Sequence, residues 1–82
     1  MWNKCEVTFS LFVTDRDSYH DSVSIKDALN APGYLPDGWV AHRVEPSGRA
    51  GGYDAVFRID GINVTVDAGR HVQRSLERLG LR

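Results

Sequence analysis

The stretch that most constrains this chain is residues 53–68, YDAVFRIDGINVTVDA, which predicts two strands joined by a tight turn. Asp60-Gly61 is a favoured pair for a two-residue type I′ hairpin, because both central residues of that turn need a positive φ. Such a turn pairs Ile59 with Ile62 and sets every pair beyond them. One face of the hairpin is then wholly apolar and the other largely polar, which is typical of a sheet covered on one side.

The rest of the chain predicts two more strands and two helices. Residues 5–13 alternate between apolar and mostly polar side chains, and residues 39–44 form a shorter, less regular strand. Residues 24–31 and 68–79 have helical spacing of their apolar positions.

The predicted helices carry residues suited to their ends. Ser24 and Asp67 are candidate N-caps, since their side-chain oxygens can accept from the first free N–H groups. Gly80 can end the second helix, with Leu81 returning to contact Leu76 in a Schellman ending.

This order, β-α-β-β-β-α, predicts an α+β fold of one domain, residues 1–82. We expect a two-layer sandwich, in which a largely antiparallel four-stranded sheet has both helices on one face. The first strand pairs at either edge of the sheet, or lies parallel to a neighbour through the first helix. The sheet edge and polar face near Phe12 and Trp2 are where we expect a homodimer contact or an added strand.

Composition excludes several classes of function. The net charge of −1 gives no global field that attracts nucleic acid or an anionic membrane, so such binding needs a local patch. The single Cys5 excludes an internal disulfide and a zinc site of several thiolates. No apolar run is long enough to cross a membrane, and charge comes too early for a signal peptide. We therefore expect a cytoplasmic protein without a cofactor, a metal or enzymatic activity.

The polar loop at residues 14–21, TDRDSYHD, holds candidate metal ligands. Its acids, Asp15, Asp17 and Asp21, are spaced as at the start of a calcium loop, but the central glycine and the closing glutamate are missing. A solvated acidic loop is the favoured interpretation. A hydrolase is a third functional hypothesis, although the sequence places no nucleophile beside a candidate base. Its candidate bases are His20, His42 and His71.

The predicted hairpin creates a candidate acidic surface. Its register sets Asp54 directly opposite Asp67, and facing like charges destabilise a strand pair by up to about 1 kcal/mol. Neutralisation by Arg58, on the same face, is the first explanation. A patch of Asp54, Asp60 and Asp67 that binds a basic partner surface is the second.

A candidate basic surface lies on the second helix. Arg70, Arg74, Arg78 and Arg82 recur at spacing four, with His71 nearby, and Arg49 lies in the glycine-rich loop at residues 46–52. Arginine suits phosphate recognition by its planar fork, so this row is a candidate nucleic-acid surface. A solvated helix face is the alternative.

Residues 24–82 also carry positions shared with a family of small RNA-binding proteins. They are Gly38-Trp39 at a strand start, Gly52 and Tyr53 before Phe57, the strand Val64-Thr65-Val66, and Leu76 with Gly80-Leu81. With the order helix, three strands, helix, this segment resembles the double-stranded-RNA-binding-type fold and, more closely, the HicA-type RNA-interferase toxins. The toxin family's catalytic His would fall near Tyr53, where this chain has none. Gly69-Arg70-His71 stands where the RNA-binding domains have a lysine-rich helix start.

These observations favour a small non-enzymatic binding or inhibitor protein that occupies a macromolecular partner. The partner is a protein or a protein–nucleic-acid complex, and inhibitors encoded by phage or mobile elements, such as anti-CRISPR proteins, are examples of the class. The alternative is an RNA- or DNA-binding domain that uses the basic C-terminal helix.

Overall fold

A computed structural model describes residues 4–14, 19 and 21–81 of the chain. Within them the elements are β1 (Lys4–Phe12), α1 (Ser22–Leu29), β2 (Trp39–Pro46), β3 (Gly52–Asp60), a 3-10 turn (Gly61–Asn63) and α2 (Val66–Arg78).

The described sheet has three strands in the order β1-β3-β2, with antiparallel pairing on both sides of β3. Strand β1 pairs with β3 without interruption, from Lys4 opposite Asp60 to Phe12 opposite Gly52. Of the positions predicted for the first strand, the structure therefore shows the one at an edge of the sheet. Strand β1, near the start of the chain, is thus joined to β3 by long-range pairing, whereas β2 directly precedes β3 in sequence.

The pairing of β2 with β3 is irregular. It slips by one residue between Ala41 and Arg43, so that His42 is the extra residue of a β-bulge. Before the bulge Trp39 and Ala41 face the core, and after it Val44 does. Because of the bulge, Trp39, Ala41 and Val44 share one face of β2 although they do not alternate regularly in sequence.

The predicted four-stranded sheet and its Asp60-Gly61 hairpin are wrong. Asp60 has φ −63°, and Gly61 is not among the glycines with positive φ, so the type I′ turn does not form. The chain instead enters the 3-10 turn, and α2 begins at Val66, within the segment predicted as the last strand. The place that strand would have taken beside β3 is occupied by β1.

The hairpin that does form joins β2 to β3 through residues 47–51. Gly48 (φ 88°) and Gly51 (φ 74°) supply the left-handed backbone that this loop needs. Ser47 N–H donates to the carbonyl of Gly52 (3.1 Å) and closes the loop.

Both helices begin a few residues before their predicted starts. Asp21 caps α1, since its Oδ1 accepts from the N–H of Ser24 (2.8 Å), and Ser24 is the reciprocal member of this capping box. Thr65 caps α2, where its Oγ1 accepts from the N–H of Ala68 (3.0 Å). Asp67 therefore lies in the first turn of α2 and is not its cap.

The predicted Schellman ending of α2 is confirmed. Gly80 has φ 76°, and its N–H donates to the carbonyl of Glu77 (3.1 Å). The N–H of Leu81 donates to the carbonyl of Leu76 (2.8 Å), and both leucines are buried in the core.

One face of the sheet packs against both helices. Phe57 of β3 is at its centre, fully buried, with its ring 5.3 Å from that of Phe9 and 5.7 Å from that of Trp39. Such tilted and edge-on aromatic pairs add roughly 1 kcal/mol each to the burial of their surface. Helix α1 contributes Ile25 and Leu29 to this core. The remaining buried apolar members are Leu11, Ala41, Val44, Ala55, Ile59, Val72, Leu76 and Leu81.

Helix α2 runs alongside β1 in the same direction. The chain leaves β3 at Asp60, which pairs with the first residue of β1, and Leu81 pairs with Val13 just beyond the other end of β1. The carbonyl of Gly80 accepts from both the N–H (2.8 Å) and the Oγ1 (2.7 Å) of Thr14, which fixes the end of the helix to the end of the strand. None of the helices in the described ranges is both long and apolar enough to cross a membrane.

Substitutions at Thr65 distinguish a helix cap from a strand residue. We expect Thr65→Ala to lower the free energy of unfolding by about 1 kcal/mol, because an N–H at the start of α2 loses its acceptor. Thr65→Asp should retain that stability, since Asp is an equally good N-cap. Urea denaturation measures both. In a strand Asp is unfavourable, so a larger loss for Asp than for Ala would contradict the observed start of α2.

Candidate functional site

The peptide groups of β1 alternate between the sheet and its outer edge. The N–H of Val13 donates to the carbonyl of Gly51 (2.9 Å), on the β3 side, whereas that of Thr14 donates to Gly80, on the opposite side. Successive peptide groups in a strand point to opposite sides. Because the register of β1 is unbroken, the N–H and C=O groups of Glu6, Thr8 and Ser10 therefore point away from β3.

On the outer edge of β2, a side chain bonds the peptide groups of Ala41. The Oδ1 of Asn30 accepts from the N–H of Ala41 (2.9 Å), and its Nδ2 donates to the carbonyl of the same residue (3.0 Å). The amide thus makes both hydrogen bonds that a neighbouring strand would make. The bulge at His42 and the proline at position 46 further protect this edge, as is common in sheet proteins.

Within the described residues, nothing comparable protects the outer edge of β1 at residues 4–10. No proline or bulge interrupts the strand there, and no other described residue hydrogen-bonds to the outward peptide groups of Glu6, Thr8 or Ser10. Beyond Phe12 the edge is used, because Leu81 forms an antiparallel bridge with Val13. The chain itself therefore demonstrates antiparallel pairing on this edge.

An apolar cleft lies beside the unprotected edge. It has a volume of about 270 Å³ between β1 and α2. Phe9, Leu76 and Leu81 supply its apolar surface, and Ser10, Gln73 and Glu77 supply polar groups. Towards the start of β1 the side chains on this face are less covered, with Val7 half-buried and Cys5 exposed. An extended chain paired with β1 would place every second side chain over this surface.

The structure does not gather the three predicted acidic residues into one patch. Asp54 and Asp60 lie on β3, separated by about 20 Å of extended strand. Asp67 is exposed on α2, which packs against the other face of the sheet. The predicted pairing of Asp54 with Asp67 is wrong, because it required the hairpin that does not form.

A different acidic residue faces Asp54. Its neighbour on β2 is Glu45, so the like-charge contact expected from the sequence exists with another partner. Glu45 is paired with Arg43 (3.0 Å), and Asp54 accepts from the Oγ of Ser10 (3.3 Å). Arg58, the predicted neutralising residue, pairs with Glu6 of β1 instead (3.4 Å). These pairs lie on the exposed face of the sheet and are worth little individually.

The structure keeps most of the predicted basic row. Arg70, Arg74 and Arg78 are exposed along α2, and His71 is half-buried. The guanidinium of Arg78 stacks on Tyr34, 5.2 Å from the ring centroid. Arg49 is not part of this row: it lines a pocket with Ser10, Phe12 and Asp54, on the sheet face away from α2.

The predicted histidine and metal candidates are dispersed. His42 is the bulge residue of β2, and His71 lies on α2. Asp21 is the cap of α1. Asp15, Asp17, His20 and Trp2 lie outside the described residues, as does Arg82 of the basic row. In the described part of the chain, no three potential ligands come together as a metal site would need.

Sequence reasoning missed two contacts at the sheet edges, the bonds of Asn30 to Ala41 and the bridge of Leu81 to Val13. Nothing local marks either one, since Asn30 follows a helix and Leu81 follows a glycine. The available signal was in β1 itself, whose clean alternation without Pro or Gly predicts a regular strand.

No family model, no curated protein and no solved structure matches this chain. The resemblance to HicA-type toxins stays a prediction, and one element that it used, the strand at residues 64–66, is not present.

Removing the Asn30 amide should destabilise the fold. Ala41 is 1% exposed, so Asn30→Ala leaves two peptide groups without partners, and we expect a loss of about 1–3 kcal/mol in the free energy of unfolding. Asp27→Ala, at an exposed position of α1, is the control and should stay within about 0.5 kcal/mol of the parent. Equal effects in chemical denaturation would show that the amide does not protect the edge.

Proposed function

We propose that this chain is a protein-binding module that takes an extended segment of its partner as an added strand on β1. The observation that carries the proposal is the difference between the two sheet edges. Asn30 bonds the outward peptide groups of Ala41 on β2, whereas those of Glu6, Thr8 and Ser10 have no partner among the described residues.

Strand addition supplies affinity and specificity from different groups. Main-chain hydrogen bonds to β1 give the affinity, and pockets for alternate side chains give the specificity. Here the cleft at Phe9 and Leu76 would receive an apolar side chain. Gln73 and Glu77, on its rim, favour a polar or basic neighbour.

Occupying a segment in this way blocks its other contacts, which is how the inhibitor favoured by the sequence would act. A non-enzymatic role, a cytoplasmic location and an origin in phage or mobile elements are parts of this proposal. The acidic residues enter it singly: Asp54 lies on the exposed sheet face, where it can add to contacts made at the edge.

Proline at position 8 tests the binding mode. Thr8→Pro removes an outward N–H that makes no bond within the sheet, so the fold should persist while strand addition is blocked. The probe is a displayed library of random ten-residue peptides, selected on the parent protein. We expect selected peptides to bind the parent and to lose at least tenfold in affinity for Thr8→Pro.

Thr8→Val is the matched control, since it changes the same side chain and keeps the N–H. It should bind the selected peptides as the parent does. Circular dichroism and thermal unfolding establish that all three proteins are folded. Peptides that bind Thr8→Pro as tightly as the parent would refute the β1 edge as the binding site.

A second candidate function is nucleic-acid binding by α2. The observation in its favour is that Arg70 and Arg74 are exposed and that neither forms an ion pair with any described residue. Glu77 and Asp67 on the same helix weaken the positive potential of this surface.

A charge reversal on the helix tests this second function. If α2 binds duplex RNA or DNA, the affinity should rise as salt falls, and Arg74→Glu should weaken it about tenfold at low salt. Arg49→Glu makes the same charge change on the other side of the sheet and should have a smaller effect. Fluorescence anisotropy over a salt series measures this, and absence of binding by the parent at low salt would exclude the function.

A further inference from the structure

We infer that a second copy of this chain binds the β1 edge. The two copies pair antiparallel through residues 4–10, about a two-fold axis at Val7. This inference rests on the proposed function, because it assigns a partner to the same edge. The resulting dimer would have one continuous sheet across both copies.

The register follows from the direction of the peptide groups. Glu6, Thr8 and Ser10 point outward, so in an antiparallel pair each must face another outward residue. An axis at Val7 achieves this by placing Glu6 opposite Thr8 of the second copy and Lys4 opposite Ser10. Both are hydrogen-bonded pairs, and neither sets like charges against each other.

Neighbouring registers are less favourable. An axis at Glu6 would set two glutamates face to face, which destabilises a strand pair. An axis at Thr8 would bring Lys4 of the second copy opposite Phe12, one position from the bridge between Val13 and Leu81. The register at Val7 leaves Leu11 and Phe12 between the paired stretch and that bridge.

The same register covers the less buried apolar side chains on the helix side of β1. On the helix side of the sheet, Val7 would meet Val7, and Cys5 would meet Phe9 of the second copy. Cys5 is exposed and the other two are half-buried in the single chain. The cleft beside Phe9 has room for the small cysteine side chain. Only residues 4–10 of each copy would pair, so the contact is small and we expect a weak dimer.

Disulfide trapping tests the register. In Cys5→Ser/Val7→Cys the two introduced thiols face each other at the axis, in a non-hydrogen-bonded pair with a Cα separation of about 4.5 Å, within disulfide range. We expect this variant to oxidise to a covalent dimer at least tenfold faster than Cys5→Ser/Val40→Cys. Val40 is 55% exposed on β2 and reports random collision. Equal rates would overturn the inference.

Charge at position 8 gives a second, non-covalent test. In this register Thr8→Lys faces Glu6 twice and should strengthen the dimer, whereas Thr8→Glu should weaken it, with dissociation constants about tenfold apart or more in sedimentation equilibrium. A parent that is monomeric at millimolar concentration, or the reverse order of the two variants, would overturn the dimer. The selected peptides separate the two proposals. If the parent is monomeric and Thr8→Pro loses peptide binding, the dimer alone is refuted. If the parent dimerises and peptide binding does not depend on the β1 edge, only the broader function is refuted.

Discussion

Strand β3 determines the rest of the structure, because among the described strands it alone is hydrogen-bonded on both sides. Its pairing with β1 and β2 decides which side chains face the helices, and Phe57 at its centre brings the rings of Phe9 and Trp39 together. The pairing also decides which peptide groups face outward on the two remaining strands. Core packing and edge chemistry thus follow from one set of main-chain hydrogen bonds.

The outward peptide groups of the two edge strands differ in how the chain bonds them. On β2 the Asn30 amide takes the place of a neighbouring strand, whereas on β1 the chain's own Leu81 pairs only beyond Phe12. A polar group of the backbone is stable in water, so the unprotected part of β1 costs the fold little. Its outward N–H and C=O groups alternate with side chains that face the apolar cleft between β1 and α2.

Local signals predicted much of this fold, and long-range choices produced the errors. The alternation of residues 5–13 gave β1 and its faces, and Gly80 with Leu81 gave the end of α2. Asp60-Gly61 misled because residues 62–66 alternate like a strand. Their actual conformation depends on distant partners: β1 takes the position beside β3, and the indole N–H of Trp39 donates to the carbonyl of Asn63 (3.1 Å). The candidate site was predictable only as a free sheet edge, since Asn30, which bonds Ala41 on the other edge, lies just after α1 and far from β1 in sequence.

The bridge between Leu81 and Val13 has a practical consequence for handling the protein. It is antiparallel, so a polypeptide continued from Leu81 in that direction is led along β1 towards Lys4. An affinity tag or fusion partner that kept this direction would lie against the outward peptide groups of β1. Attachment elsewhere, for instance by labelling an exposed side chain of α1, leaves that surface accessible.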